Sequence, residues 1–159
     1  QPTQLEDGSW SFDGSTNEGA GDTNTTAIVL QALAALGLGD DPMAEKAIDY
    51  LRSAQAEDGG FPYQPGGAPD SNSTALAVQA IIAMGENPAS EDWRNAAAAL
   101  ARFQNQSGAF RYQDEMPDDN LLSTLQALPA LAGQAFPVMA GGSASDGTST
   151  IVGTPVGGP

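Results

Sequence analysis

Three times this sequence sets a glutamine, three spacer residues, a glycine, one more residue and an aromatic. The copies are Gln4…Gly8-Ser9-Trp10, Gln55…Gly59-Gly60-Phe61 and Gln104…Gly108-Ala109-Phe110, with the glutamines 51 and then 49 residues apart. Recurrence at that period marks repeated supersecondary units, none of which can bury its apolar face alone. Each aromatic is followed two positions later by another, giving the pairs Trp10/Phe12, Phe61/Tyr63 and Phe110/Tyr112. Residues this regular are expected to be scaffold before they are chemistry.

Between these links the chain reads as pairs of helices. Residues 25–36 are apolar almost all round, and Asp22, Thr23 and Asn24 supply cap oxygens for the free amides of a first turn. A helix apolar on most faces has to be buried on most faces. Asp41-Pro42 opens a second helix reaching about Gln55, with Met43, Ala47, Tyr50/Leu51 and Ala54 as its buried stripe. The pair recurs. Asp70-Ser-Asn72-Ser-Thr74 caps a nearly all-apolar helix closed by Gly85, and Ser90 starts an amphipathic one with Trp93, Ala97, Leu100 and Phe103/Gln104 turned inward. A third pass opens at Pro117-Asp118-Asp119-Asn120 and runs through LLSTLQALPAL, which Pro129 is expected to kink or shorten. The apolar helices share Gln31-Ala-Leu-x-Ala-Leu, Gln79-Ala-Ile-x-Ala-Met and Gln126-Ala-Leu-x-Ala-Leu, spaced 48 and 47 residues apart. Buried helices alternating with half-buried ones build a two-layer array. Residues 1–133 therefore read as one all-α repeat domain of about two and a half units. Residues 134–159, rich in Gly, Ser, Thr and Pro, read as a flexible tail or linker, with the alternative that STIVGTPV lies along a neighbour as an extended strand.

Composition narrows the chemistry. Twenty acidic residues against five basic ones give a net charge of −15, which repels nucleic acid and anionic membranes and attracts cations. With no cysteine and no histidine, disulfides, thiol nucleophiles, ordinary zinc sites and histidine-based acid–base catalysis are excluded. No stretch approaches the roughly 18 apolar residues of a membrane span. Asp7, Asp13, Asp22, Asp58 and Asp70 in Gly-rich loops suggest calcium, but no Asp-x-Asp-x-Asp-Gly loop supports it. Carboxylates are plentiful enough for glycoside hydrolysis, yet no sugar-stacking cluster singles out a pair.

Lys46-Ala-Ile-Asp-Tyr50-Leu51-x3-Gln55-x3-Gly59-x-Phe61 resembles the full QW motif of the prenyltransferase and squalene-cyclase repeat family. The first copy keeps only the second half of the motif, and the third, from Leu100, lacks the leading aromatic. The resemblance covers residues 4–133 and implies an α/α-toroid of helical hairpins, inner helices ringed by outer ones. It also implies that Gln4, Gly8, Trp10, Gln55, Gly59, Phe61, Gln104, Gly108 and Phe110 are structural, tying successive outer helices together. The catalytic signatures of the family are missing. Prenyltransferases hold zinc through Asp, Cys and His. Squalene-hopene cyclases use a DxDD run, to which Asp118-Asp119 behind Met116-Pro117 is the nearest approach. Complement-like relatives carry a thioester Cys. The phrasing DSNSTALAVQA and NLLSTLQALPALAG looks more like bacterial secreted repeat proteins, distantly similar to cobalamin-binding transcobalamin and intrinsic factor.

In a toroid the starts of the inner helices converge near the central cavity, which makes Asp22, Asn24, Asp70, Asn72 and Asp119 candidate ligand-binding residues. Tyr63 and Tyr112, with Arg111, would add a polar surface there. Helix capping accounts for the same acids and amides with no ligand at all, and aromatic packing in the links accounts equally for Tyr63 and Tyr112. The first copy lacks a preceding outer helix and the third a following one, so the expectation is an open arc, completed by further repeats or by neighbouring copies. The expected function is a non-catalytic extracellular or cell-surface module for binding or self-assembly, a scaffold or filament subunit, with no cofactor and no metal. The alternatives are a terpene-cyclase-like or other lipid-handling enzyme and a corrinoid or small-ligand binding protein.

Overall fold

The start of each apolar helix is set by one side-chain oxygen. In the computed structural model, which describes residues 3–137, Asp22 Oδ1 accepts from the Thr25 amide at 2.7 Å, Asp70 Oδ1 from Ser73 at 2.8 Å and Asn120 Oδ1 from Ser123 at 3.0 Å. The described residues form five α-helices: α1 (Thr23–Ala35), α2 (Pro42–Ala54), α3 (Ser71–Ala83), α4 (Ala96–Ala101) and α5 (Leu121–Leu131). Helices α1, α3 and α5 lie side by side as an inner layer with α3 in the middle, while α2 covers α1, and α4 lies against α3 and α5. The described residues contain no strand, only isolated bridges within the links. This is the all-α, two-layer toroid arc that the repeat implies.

Each link docks onto the inner helix that follows it by the same backbone pattern. The aromatic amides of Trp10, Phe61 and Phe110 donate to the hydroxyls of Thr26, Thr74 and Thr124 at 2.9–3.0 Å. The cap amides of Asp22, Asp70 and Asn120 donate back to the carbonyls of those three aromatics at 2.8–3.1 Å. The rings of Trp10, Phe61 and Phe110 are buried in the core. Successive units are then joined in one direction. Thr23 N–H donates to the carbonyl of Tyr63, and Ser71 N–H to that of Tyr112, both at 2.9 Å.

The motif glutamine makes the second joint. Gln55 Nε2 donates to Gly59 C=O at 3.0 Å within its own link and to Trp93 C=O at 2.7 Å on the next outer element. Gln4 repeats this with Gly8 and Met43, at 2.9 and 2.8 Å. Gln104 bonds Gly108 at 2.9 Å and has no second acceptor among the described residues. The motif glycines all have positive φ. A side chain at Gly8 would strike the Lys46 carbonyl and one at Gly59 the Arg94 carbonyl, whereas Gly108 faces open space.

Five sequence expectations change. The helix expected from Ser90 is broken: a single 3₁₀ turn, Glu91–Trp93, is separated from α4 by Arg94 and Asn95, both left-handed. The joint falls at this break. Trp93 C=O is taken by Gln55, and the Ala97 amide, its partner in a continuous helix, turns to Pro88 C=O at 3.3 Å. The break also shifts the inward stripe, so Ala96 and Ala99 are buried instead of Ala97, and Gln104 is exposed. In α2 the stripe runs through Ala44 and Ile48, leaving Met43 42% exposed. Helix α5 contains Pro129 and ends two residues beyond it, at 11 residues against 13 for α1 and α3.

The third shared core is also out of register. Gln31 and Gln79 fall nine residues after their caps, but Gln126 falls six after Asn120, so it takes the place of Ile28 and Leu76. Finally, α5 is uncovered along a stripe whose equivalents in α1 and α3 are buried. Leu121, Leu125 and Leu128 occupy the positions of Thr23/Ser71, Ala27/Ala75 and Leu30/Val78, all buried, yet Leu121 is 75% exposed and the other two more than half. The tail expected for 134–159 lies outside the described residues from 138 onward. Within 134–137, the Phe136 amide donates to Gln31 Oε1 at 2.8 Å, bringing that segment back to α1.

Equivalent glycines and glutamines should therefore respond unequally. Gly108→Ala should cost about 1 kcal/mol, the strain of a left-handed alanine, while Gly59→Ala should cost at least about 3 kcal/mol, because a backbone carbonyl must also move. Gln55→Ala, which strips two carbonyls of a buried donor, should cost about 2–4 kcal/mol against less than about 1 kcal/mol for Gln104→Ala. Urea unfolding of the four variants measures both contrasts.

Candidate functional site

The candidate ligand residues divide once their partners are known. Asp22 and Asp70, both nearly inaccessible, spend both carboxylate oxygens locally. Asp22 Oδ2 accepts from Thr25 Oγ1 at 2.9 Å and from the Phe12 amide at 3.2 Å, and Asp70 Oδ2 accepts from Ser73 Oγ at 2.8 Å. Asn72 Oδ1 accepts from Ser123 Oγ at 2.7 Å and so ties α3 to α5. Asn24 holds the equivalent place in α1, and its buried Oδ1 has no partner among the described residues. Asp119 stands apart in the third link, fully exposed, taking Asn105 Nδ2 at 2.8 Å and Ser107 Oγ at 2.9 Å. Those bonds hold its carboxyl below the usual carboxylate range.

Tyr63 and Tyr112 each sit beside the cap of the preceding inner helix, where their carbonyls are pinned. Burial first, then the charge of Asp22 and a bond to its carboxylate, then Asp13, push the Tyr63 hydroxyl above its usual pKa. Burial and then Asp70 do the same to Tyr112. Arg111 is bound to Asp114 at 2.7 Å and lies 5.5 Å over the Phe103 ring, so it is engaged in its own link. Of the acids considered for calcium, Asp7 and Asp13 accept from Ser9 and Ser15, and Asp58 accepts from the Gly60 amide and pairs with Arg102 at 2.9 Å. Among the described residues no three His, Cys, Asp or Glu side chains converge on one point.

Two surfaces were not foreseen. The first is a recess of about 400 Å³ on the inner helices, lined by Ile28, Gln31, Ala32, Leu76 and Gln126 and closed by Phe136 and Pro137. Ile28, Leu76 and Gln126 are the equivalent positions identified above, so the recess follows the repeat. Counting from the caps rather than from the shared Gln-Ala words would have located it. The second is a recess of about 290 Å³ at the helix starts, lined by Phe12, Asp13, Ser15, Ala20, Asp22 and Tyr63.

Burial raises the Asp70 carboxyl above its ordinary pKa, against the hydrogen bonds from Ser73 that lower it. The folded protein therefore holds that proton more readily than the unfolded chain. The stabilisation arising from this group is complete below the ordinary carboxylate range, about pH 4, and falls as pH rises toward the elevated value. Relative to wild type, Asp70→Asn should lose this pH slope, which unfolding titrations between about pH 3 and pH 7 measure.

A family model for the prenyltransferase alpha-alpha toroid domain matches residues 14–130. Among curated proteins none matches the chain in sequence. The family match spans most of the chain, and the geometry of paired helices, capped inner starts and glutamine joints agrees with it. The chain belongs to the prenyltransferase alpha-alpha toroid family.

Proposed function

We propose that this chain is a non-catalytic repeat module of the cell surface or extracellular space that associates with further units of its own kind through the exposed side of α5. The observation that carries this reading is the leucine stripe Leu121, Leu125 and Leu128, uncovered at positions that are buried in both sister helices. Helix α5 bears no charged residue, in a chain whose net charge is −15. Two copies repel through their acidic surfaces, so a neutral apolar stripe is where they approach at least electrostatic cost. Among the described residues the second donor of Gln104 and the Leu121 amide have no partner, and both lie in the same third unit, as a surface that accepts another unit requires.

The non-catalytic reading rests on the absence of Cys and His from the sequence and on the local commitment of Asp22 and Asp70 to capping. The extracellular assignment rests on the linker-like composition of 134–159. No helix among the described residues is long and apolar enough to cross a membrane. A second reading, handling of a small lipid, draws on the mostly apolar recess between α1, α3 and α5. Titration with an isoprenoid alcohol tests it: a saturable response lost in Phe136→Asp would favour lipid handling over association.

Sedimentation equilibrium at rising protein concentration, from about 10 mM to about 0.5 M salt, tests the main reading. Wild type should self-associate, more tightly at high salt as charge repulsion is screened. Leu125→Glu with Leu128→Glu should weaken association at least about 100-fold with helicity unchanged. A wild type that stays monomeric at high concentration and high salt overturns the proposal.

A further inference from the structure

The acidic surface has one place where it meets exposed aromatic rings. Phe12 is 86% exposed and Tyr63 44%, and both line the recess that contains Asp13 and Asp22. A phenyl ring left this bare contributes nothing to the core, whereas its partner in the link, Trp10, is buried. The backbone beneath both rings is anchored. The Phe12 amide is bound to Asp22 Oδ2 at 3.2 Å, and the Tyr63 carbonyl accepts from Thr23 N–H at 2.9 Å. The attachment points of the rings are thereby set before any ligand arrives, which lowers part of the ordering cost of binding.

Among the described residues no basic side chain pairs with the carboxylates of this recess, although both accept local hydrogen bonds. The ion pairs among the described residues are Arg52–Glu86, Arg102–Asp58 and Arg111–Asp114, and none involves Asp13 or Asp22. The Tyr63 hydroxyl is raised first by burial and then by the charges of Asp22 and Asp13. Carboxylates supply long-range attraction for a cation, and ring faces supply cation–π contact, strongest for poorly hydrated organic cations. Anions are repelled, and a neutral sugar gains from the rings but not from the charge.

We propose that the Phe12–Asp13–Asp22–Tyr63 recess binds an organic cation, an ammonium or guanidinium group. Part of the arrangement recurs one unit along, where Tyr112 lies in the field of Asp70. In the third unit the cap is the neutral Asn120. The cation can come from a free small ammonium compound or from Lys and Arg side chains of a polypeptide.

The test is an NMR titration of the ¹⁵N-labelled full chain with tetramethylammonium chloride, with tetralysine, and with sodium chloride and cellotetraose as controls. Saturable shifts at Phe12, Ser15 and Tyr63 are expected with both organic cations. Phe12→Ala and Asp13→Asn, at exposed positions, should each weaken binding about three-fold. Asp22→Asn should weaken it further while preserving the cap, since Asn120 caps α5 with the same amide bond. Tetralysine binding far above the per-cation affinity of tetramethylammonium identifies a basic polypeptide as the partner, and equal per-cation affinity identifies a free ammonium compound. Matching shifts with sodium chloride, an undiminished affinity in Phe12→Ala, or an equal response to cellotetraose overturns the proposal, the last in favour of a sugar ledge.

Discussion

The two amide protons of Gln55 hold this architecture together. One closes the link on itself at Gly59, and the other reaches Trp93 on the next outer element. The residue is buried, so neither carbonyl has water as a substitute, and losing the donor would leave two unsatisfied acceptors in the interior. The Trp93 side chain makes three further contacts. Its indole nitrogen donates to Glu86 Oε2 at 2.7 Å, Arg52 lies 4.8 Å over its ring, and Phe61 packs at 6.4 Å between centroids. One glutamine thus gathers a helix end, a link and the following outer turn into one cluster.

A joint that runs one way gives the domain a direction. Helices α1 and α3 present their first free amide to the link of the next unit, and Gln4 and Gln55 reach forward in the same sense. Such nearest-neighbour coupling makes stability a sum over units and joints, so a terminal unit lacks the forward half of its contacts. The unequal surroundings of Gly59 and Gly108 show this directly, since the carbonyl that leaves no room at Gly59 has no counterpart at Gly108. Direction also decides where leftover chemistry collects. Among the described residues, forward-reaching groups without a partner lie in the third unit, at Gln104 and Leu121.

Much of this was legible in the sequence because it depends on short-range chemistry. Cap residues, helix types and the Gln-x3-Gly-x-aromatic period specify local hydrogen bonds that any reading along the chain can find. The break at Arg94–Asn95 was not legible, because it falls where a bond arrives from Gln55, 38 residues away, and Arg94 is not a residue type that favours a left-handed conformation, although Asn95 is. The register of Gln126 was misread for a different reason. Its Gln-Ala-Leu-x-Ala-Leu setting matches Gln31 in letters, but the caps, not the letters, fix rotation about the helix axis, and three residues amount to most of a turn. The exposure of the α5 leucines was hidden as well, since an apolar helix looks the same in sequence whether or not a neighbour covers it. Of the candidate site, Asp22 and Tyr63 were identified by residue type, whereas Phe12 passed as one more link aromatic because nothing local distinguishes it from the buried Trp10.

The uncovered leucines and the acid–aromatic recess act over different distances, and that difference orders them. With a net charge of −15, any encounter is decided first by electrostatics, which extend about 10 Å at moderate salt, and only afterwards by apolar contact, which requires displacement of the last water layer. A second acidic copy meets repulsion before its leucines can touch, whereas a cationic group meets attraction from Asp13 and Asp22 before it reaches the rings. A basic ligand seated on these acids would lower the charge that keeps copies apart. Occupation of the recess would then promote contact through α5 without any change in the shape of either surface, because both sites draw on the same unbalanced charge.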